Sequence, residues 1–296
     1  MDYLPNVIFA TALLLGIGFF VSNVLKLVRN IKLGKDLDRS DNKPERWKNM
    51  ARIALGQSKM VSRPIAGFLH IVVYIGFVVI NIEVLEIIID GLFGTHRVFQ
   101  PLLGNSIYGF LIGTFEILAF LVLVAVIIFW LRRNIVQLKR FMSKEMKGWP
   151  KNDGNLILYF EIVLMSLFIL MNATDYSFQQ ADSGNPISQF VAPWFSEYPI
   201  ETLSSIEHIA WWAHIIGILI FLNYLYYSKH LHILLAFPNT FYANLKPKGQ
   251  FNNLSSVTKE VRMMMDPDAD PYAMPEEGVE EEIPEKFGAS DVTDLN

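Results

Sequence analysis

The chain contains no cysteine. That absence excludes a disulfide, a thiolate-ligated zinc ion and a cysteine-bound iron–sulfur cluster from these 296 residues, so any redox work here needs another cofactor. Charge is scarce too: Asp, Glu, Lys and Arg make up 18% of the chain against 52% hydrophobic residues, and the mean hydropathy is +0.32. The charges that exist crowd into a few segments, as they do in integral membrane proteins. The formal charge of −4 averages basic loops with an acidic C-terminal tail, and it gives no reason to invoke nucleic acid. No Gly-rich phosphate loop and no internal repeat is evident. The start, MDYLPN, lacks a basic n-region and leads into a long apolar run, which reads as a retained span instead of a cleaved signal peptide.

What is present is a set of five apolar runs, near residues 7–28, 65–89, 106–130, 156–171 and 206–228. They predict an all-α integral membrane bundle of five transmembrane helices over residues 1–237, followed by a mostly irregular tail, 238–296. Gly16 and Gly18 in the first run offer a close approach to a neighbouring helix. The tail is acidic and dotted with proline, too poor in apolar residues to build a core, and reads as a linker or docking arm.

Loop charge sets the orientation. Residues 29–63 hold ten basic side chains and residues 132–151 hold seven, while the turn after the second run has Arg97 alone and the segment from Asn172 to Glu207 has no Lys or Arg. By the positive-inside rule the two basic loops are cytoplasmic, which places the N-terminus outside and the C-terminus in the cytoplasm of a multi-pass protein of the inner (cytoplasmic) membrane. Within the first loop, Pro44 to Leu55 reads as a short interfacial helix with Trp47 at headgroup level or as a solvated loop. The aromatic residues Phe190, Trp194, Phe195 and Tyr198 suggest a cap on the outer surface, packed on lipid or bordering a quinone pocket.

The histidines carry the chemistry. His214 and His232 are 18 positions apart, about 1800° or five whole turns of an uninterrupted helix, so one shared face is expected. Their axial separation is then about 27 Å, one near each side of an apolar core about 30 Å thick. His70 stands about two turns inside the second span, at nearly the depth of His230 and His232. Neutral imidazoles at two depths suit axial ligation of stacked hemes, because each nitrogen can bond iron without burying a charge. Asn81 shares the His70 face, whereas Glu83, Glu86 and Asp90 fall on the other side of that helix, where carboxylates at membrane depth must meet protein, water or the interface. His96, in the outer turn, is either an exposed loop histidine or a ligand for a heme near the outer face.

Five spans, a histidine early in the second and the stretch WWAHIIGILIFLNYLYYSKHLHILLAFPN, together with SRPIAGFLH, resemble the gamma subunit of respiratory nitrate reductase, a diheme cytochrome b. With the tail FGASDVTDLN they are also similar to the membrane domain of heterodisulfide reductase-related iron–sulfur oxidoreductases. The resemblance implies heme b, one or two per chain, with His70 and His232 holding the heme nearest the cytoplasm and His214 one ligand of the outer heme. The fourth ligand is missing from its place, which Ile80 occupies; His96 or His208 are the alternatives for it. The resemblance further implies a cysteine-bearing iron–sulfur domain or subunit on the cytoplasmic side, either beyond residue 296 or on a partner, and no iron–sulfur cluster within this chain. The function it implies is electron transfer between the quinone pool, as substrate, and those clusters. Glu83, Glu86, Glu116 and Glu161 are then candidates for accepting protons as quinol is oxidised. The competing reading is a heme-free membrane anchor for a cytoplasmic redox subunit; a transporter fits poorly in the absence of inverted repeats.

Overall fold

A computed structural model describes residues 3–34, 38–180, 184–247, 249 and 255–265. It is 79% helical and contains no strand among the described residues. The helices in chain order are α1 (Leu4–Ile31), α2 (Lys43–Met50), α3 (Pro64–Phe93), α4 (Phe99–Leu103), α5 (Asn105–Asn134), α6 (Trp149–Thr174), α7 (Tyr176–Gln179), α8 (Ser188–Val191), α9 (Ile200–Leu225), α10 (His232–Phe241) and α11 (Ser255–Met265). Five of them, α1, α3, α5, α6 and α9, are long and apolar enough to cross a membrane. Each extends beyond its apolar run at one or both ends, because helical hydrogen bonding continues into flanking polar residues that hydropathy does not count.

The five long helices pack in a closed circuit: α1 on α3, α3 on α5, α5 on α6, α6 on α9, and α9 back on α1. Their outward faces are apolar and exposed, as in Leu14, Leu15, Phe68 and Phe110, which is the pattern of a bundle bathed in lipid. α3 begins with Pro64 at its first position, where the missing N–H costs nothing, and ends on Gly94 in the left-handed region (φ +69°), whose N–H returns to Asp90 O. Small residues set the contacts expected from them only in part. Gly16 lies against Leu219, with the Asn223 amide donating to Gly16 O at 3.0 Å, whereas Gly18 faces open space. Gly91 is covered by the Phe9 ring, so α1 and α3 approach there as closely as a missing Cβ allows.

The fifth span does not run on to His232. α9 stops at Leu225, a 3₁₀ turn spans Lys229–Leu231, and α10 starts anew at His232, so the five-turn shared face expected for His214 and His232 is not formed. Asp153 of α6 makes the break: its carboxylate accepts from Tyr224 Oη at 2.5 Å and from Lys229 N at 3.1 Å, and Ser228 Oγ accepts from His230 N at 3.0 Å. α10 is clamped at its far end by α2. The buried Arg46 guanidinium donates to the carbonyls of Phe241 (3.2 Å) and Ala243 (3.0 Å), Asn49 donates to Thr240 O at 2.7 Å, and Trp47 packs on Phe241. These bonds satisfy the carbonyls that a helix C-terminus leaves free. The stretch from Pro44 is therefore a helix with a structural task, and the segment from residue 238 contributes the end of α10 and the helix α11; residues 266–296, with the acidic stretch of the tail, lie outside the described residues.

Candidate functional site

Two polar regions and a cavity between them occupy the bundle. At the end that carries the basic loops, His70 of α3 meets His230 and His232 from the α9–α10 connection. The His230 and His232 rings are 5.5 Å apart centre to centre, and His230 also lies 5.4 Å from the Phe221 ring of α9. Burial first, and then the neighbouring imidazoles of His232 and His70, push the His230 ring down to about 4, and three imidazoles share this end. His70 is half-buried and its Nδ1 has no hydrogen-bond partner; His232 is exposed and its Nδ1 lies 3.0 Å from Lys229 O. The expected depth match between the second span and the histidines after the fifth is thus met. His232 arrives through a separate helix, α10, and not through the fifth span.

The cavity, about 80 Å³, lies among α3, α5, α6 and α9. Its α3 wall is Val73, Phe77, Ile80, Asn81 and Val84, and its α9 wall is His214, Ile218 and Phe221. The spacing of the α3 residues is that of one helix face, and His70 continues the same stripe toward the basic end. Phe221, the last cavity residue of α9, is the one against His230. His214 is fully buried; its Nδ1 lies 3.0 Å from Leu164 O, which fixes the proton on that nitrogen because a carbonyl can only accept. Nε2 is left as a lone pair with no partner. Glu161 of α6 is buried on the same cavity, and no hydrogen bond reaches its carboxylate among the described residues. Ile80, at the place of the missing ligand, lines this cavity as an apolar residue.

At the opposite end a buried hydrogen-bond network is centred on Arg97. Its guanidinium donates to Asp175 Oδ2 at 2.9 Å, Asn172 Oδ1 at 3.0 Å and Tyr108 Oη at 3.2 Å, and it lies 4.0 Å from the Phe178 ring centre. Arg97 sits at φ +55°, a left-handed conformation that tucks the side chain inward, and its own N–H is held by Asp90 Oδ2 at 2.8 Å. Tyr108 in turn donates to Glu86 Oε2 at 3.0 Å, and Phe99 N donates to Glu86 Oε1 at 2.8 Å. Glu83 is buried next to this network with Oε2 unpartnered. Burial alone would raise the Asp175 carboxyl, but the His96 hydrogen bond, the Arg97 charge and the Phe178 N–H hold it well below the usual carboxylate range. The same bond to Asp175, Nε2 to Oδ2 at 3.3 Å, raises the His96 imidazole above its ordinary value, against a smaller opposing effect of burial.

Of the residues singled out in the sequence, the structure gathers His70, His230 and His232 at one end, His214, Glu161 and Asn81 on the cavity, and Glu83 and Glu86 beside Arg97. His96 is brought to Asp175 and not to the cavity that His214 lines. His208 is exposed beside Glu207. Glu116 accepts from Asn172 Nδ2 at 3.0 Å and from the main-chain N–H groups of Ile187 and Ser188 at 2.9 and 3.0 Å; with both oxygens taken, it anchors the start of α8. Arg97 and Asp153 carry no local motif. The signal that could have found Arg97 is its isolation, one basic residue between two membrane spans that also hold buried acids.

No protein-family profile matches the chain, and no solved structure does. Among curated proteins it is 27% identical over 246 residues to the probable iron-sulfur-binding oxidoreductase FadF of Bacillus subtilis (strain 168), covering 81% of this chain and 33% of that protein. It is 21% identical over 224 residues to the EtfAB:quinone oxidoreductase of Syntrophomonas wolfei subsp. wolfei, covering 72% of this chain and 30% of that protein. The chain therefore spans about a third of the length of these relatives. Its homologues are oxidoreductases, one iron–sulfur-binding and one quinone-linked, which agrees with a redox-related role.

Proposed function

We propose that the chain is a membrane cytochrome b module that carries electrons between the quinone pool and iron–sulfur clusters on the cytoplasmic side. The observation that carries this reading is the gathering of imidazoles from α3 and the α9–α10 connection at the basic end of the bundle. The donor set fits heme b: the buried His70 nitrogen is without a partner, and His232 has one ring nitrogen against a carbonyl, which leaves the other free for iron. His70 and His232 would hold the heme, which supplies a metal that changes charge by one electron without exchanging ligands. The remaining steps belong to the chain. Asp153 fixes the turn that presents His230 and His232; the apolar cavity walls exclude water between the two ends; Glu83 and Glu161 are placed to accept protons, while Glu86 is held by Phe99 N and Tyr108 Oη and Glu116 is committed to the start of α8. The names of the iron–sulfur-binding and quinone-linked relatives support partners of these two kinds for the relay.

The test is heme content per chain in the purified membrane protein. His70→Ala and His232→Ala are each expected to lose the heme, with His230→Ala retaining it. Full heme content in both of the first two variants would refute the ligand assignment, and a colourless parent protein would leave a heme-free anchor.

A further inference from the structure

The cavity at His214 holds two buried groups whose hydrogen-bonding capacity is unmet. His214 Nε2 is a buried atom without a partner and Glu161 is a buried residue that no hydrogen bond reaches among the described residues, so the cavity calls for a ligand with polar atoms to match. Both are acceptors. The His214 proton is committed to Leu164 O, which leaves Nε2 a lone pair, and the Glu161 carboxylate receives no donor among the described residues. Between them the walls are apolar: Val73, Ile80, Val122, Leu164 and Ile218. Phe77 and Asn81 line the same cavity and are exposed on a membrane-spanning helix, so the space opens toward the lipid. No second imidazole lines it, and a bis-imidazole metal centre therefore lacks one of its two ligands here.

We propose that this cavity is a hydroquinone site, in which His214 Nε2 and the Glu161 carboxylate accept the two ring hydroxyls of a quinol that enters from the lipid past Phe77 and Asn81. This rests on the electron-carrier reading and names the place where its lipid-soluble substrate reacts. A quinol is the form matched by two acceptors; a quinone, with two carbonyl oxygens, offers no donor to either. On oxidation the two O–H bonds break, one proton passes to His214 Nε2 and one to Glu161, and the two electrons need a one-electron acceptor, the chemistry that a heme held by His70 and His232 would supply. The ring is left as the quinone, which has lost both donors and is released. Ile80 and His70 are ten residues apart on one helix, about 15 Å along the axis, so donor and acceptor sit at adjacent levels of one bundle.

The experiment uses the full chain in lipid nanodiscs with menadiol as the probe, under anaerobic conditions. The parent is expected to bind menadiol, and His214→Gln and Glu161→Gln each to weaken binding about tenfold or more, the loss of one hydrogen bond to a buried polar group. Heme content should stay that of the parent in both variants, which also reports that they fold; reduction by menadiol should slow while reduction by dithionite does not. Menadiol binding unchanged in both variants, or no binding at all, overturns the site. So does loss of heme from the otherwise folded His214→Gln protein, which would make His214 an iron ligand. A protein that binds menadiol through these two residues yet carries no heme keeps the site and refutes the electron-carrier reading instead.

Discussion

At the scale of single residues, a side chain acquires its role from what its oxygens and nitrogens are already doing. Glu116 and Glu161 are both glutamates buried inside the bundle, yet one has both oxygens occupied by three donors and the other has none. Sequence alone ranks them together. Arg97 is the buried cation on which Asp175, Asn172 and Tyr108 converge, so Arg97→Met is expected to destabilise the protein by about 3–5 kcal/mol, the cost of stranding buried partners. Thermal unfolding in detergent measures it; a loss under about 1 kcal/mol would mean that the network relaxes without its centre.

The ion pair beside Arg97 also gives stability a pH dependence of known sign. The His96 pKa is raised above 6.5 in the folded protein, so its contribution is fully present below pH 6.5 and is lost as pH rises through the folded value. Asp175 is depressed, so its contribution is present above 3.8 and fades only as pH falls toward its lower folded value. The melting-temperature difference between the parent and His96→Gln should therefore be largest below pH 6.5 and shrink on the alkaline side. A difference that grows with pH would contradict the pairing. Because the His96 ring is largely exposed, the effect should be small and sensitive to salt.

At the scale of elements, hydropathy locates each long helix because burying the backbone in lipid admits only a continuous hydrogen-bonded rod. It fails after Leu225, where YYSKHLHILLAFP remains apolar enough to read as more of the same helix. The interruption comes from Asp153, 76 residues upstream of Lys229, and a long-range bond of that kind leaves no periodic trace. Asp153→Ala would leave Tyr224 Oη and Lys229 N unpaired, at a cost of about 1–3 kcal/mol, and would loosen the turn that presents His230 and His232. Heme content should fall or its midpoint potential shift, with the far-UV helix signal retained. A variant with the parent's heme content and potential would show that α10 is positioned by the α2 clamp alone. The short helix α2 is a different case: the sequence left it open between an interfacial helix and a solvated loop, and the partner that decides it, α10, is visible only in three dimensions.

For the whole molecule, the fold class was readable from five apolar runs, and the depth match of His70 with His230 and His232 followed from loop charge and helix rise. The arrangement of helices in a closed circuit was not readable, since lipid-facing and partner-facing apolar residues are chemically alike. Nor was the cavity, which depends on Ile80, Glu161 and His214 arriving from three helices at one level. The circuit puts an imidazole cluster at the basic end, an acid and base network around Arg97 at the other, and an apolar space with two free acceptors between them. That order along the bundle is what the proposed electron relay with a lipid-soluble donor would use.

The measurement that bears most directly on this account is the reduced-minus-oxidised absorption spectrum of the purified protein in nanodiscs. The account expects the bands of a low-spin b-type heme in the parent and their absence in His70→Ala. A featureless difference spectrum from a folded, heme-supplemented parent would contradict it.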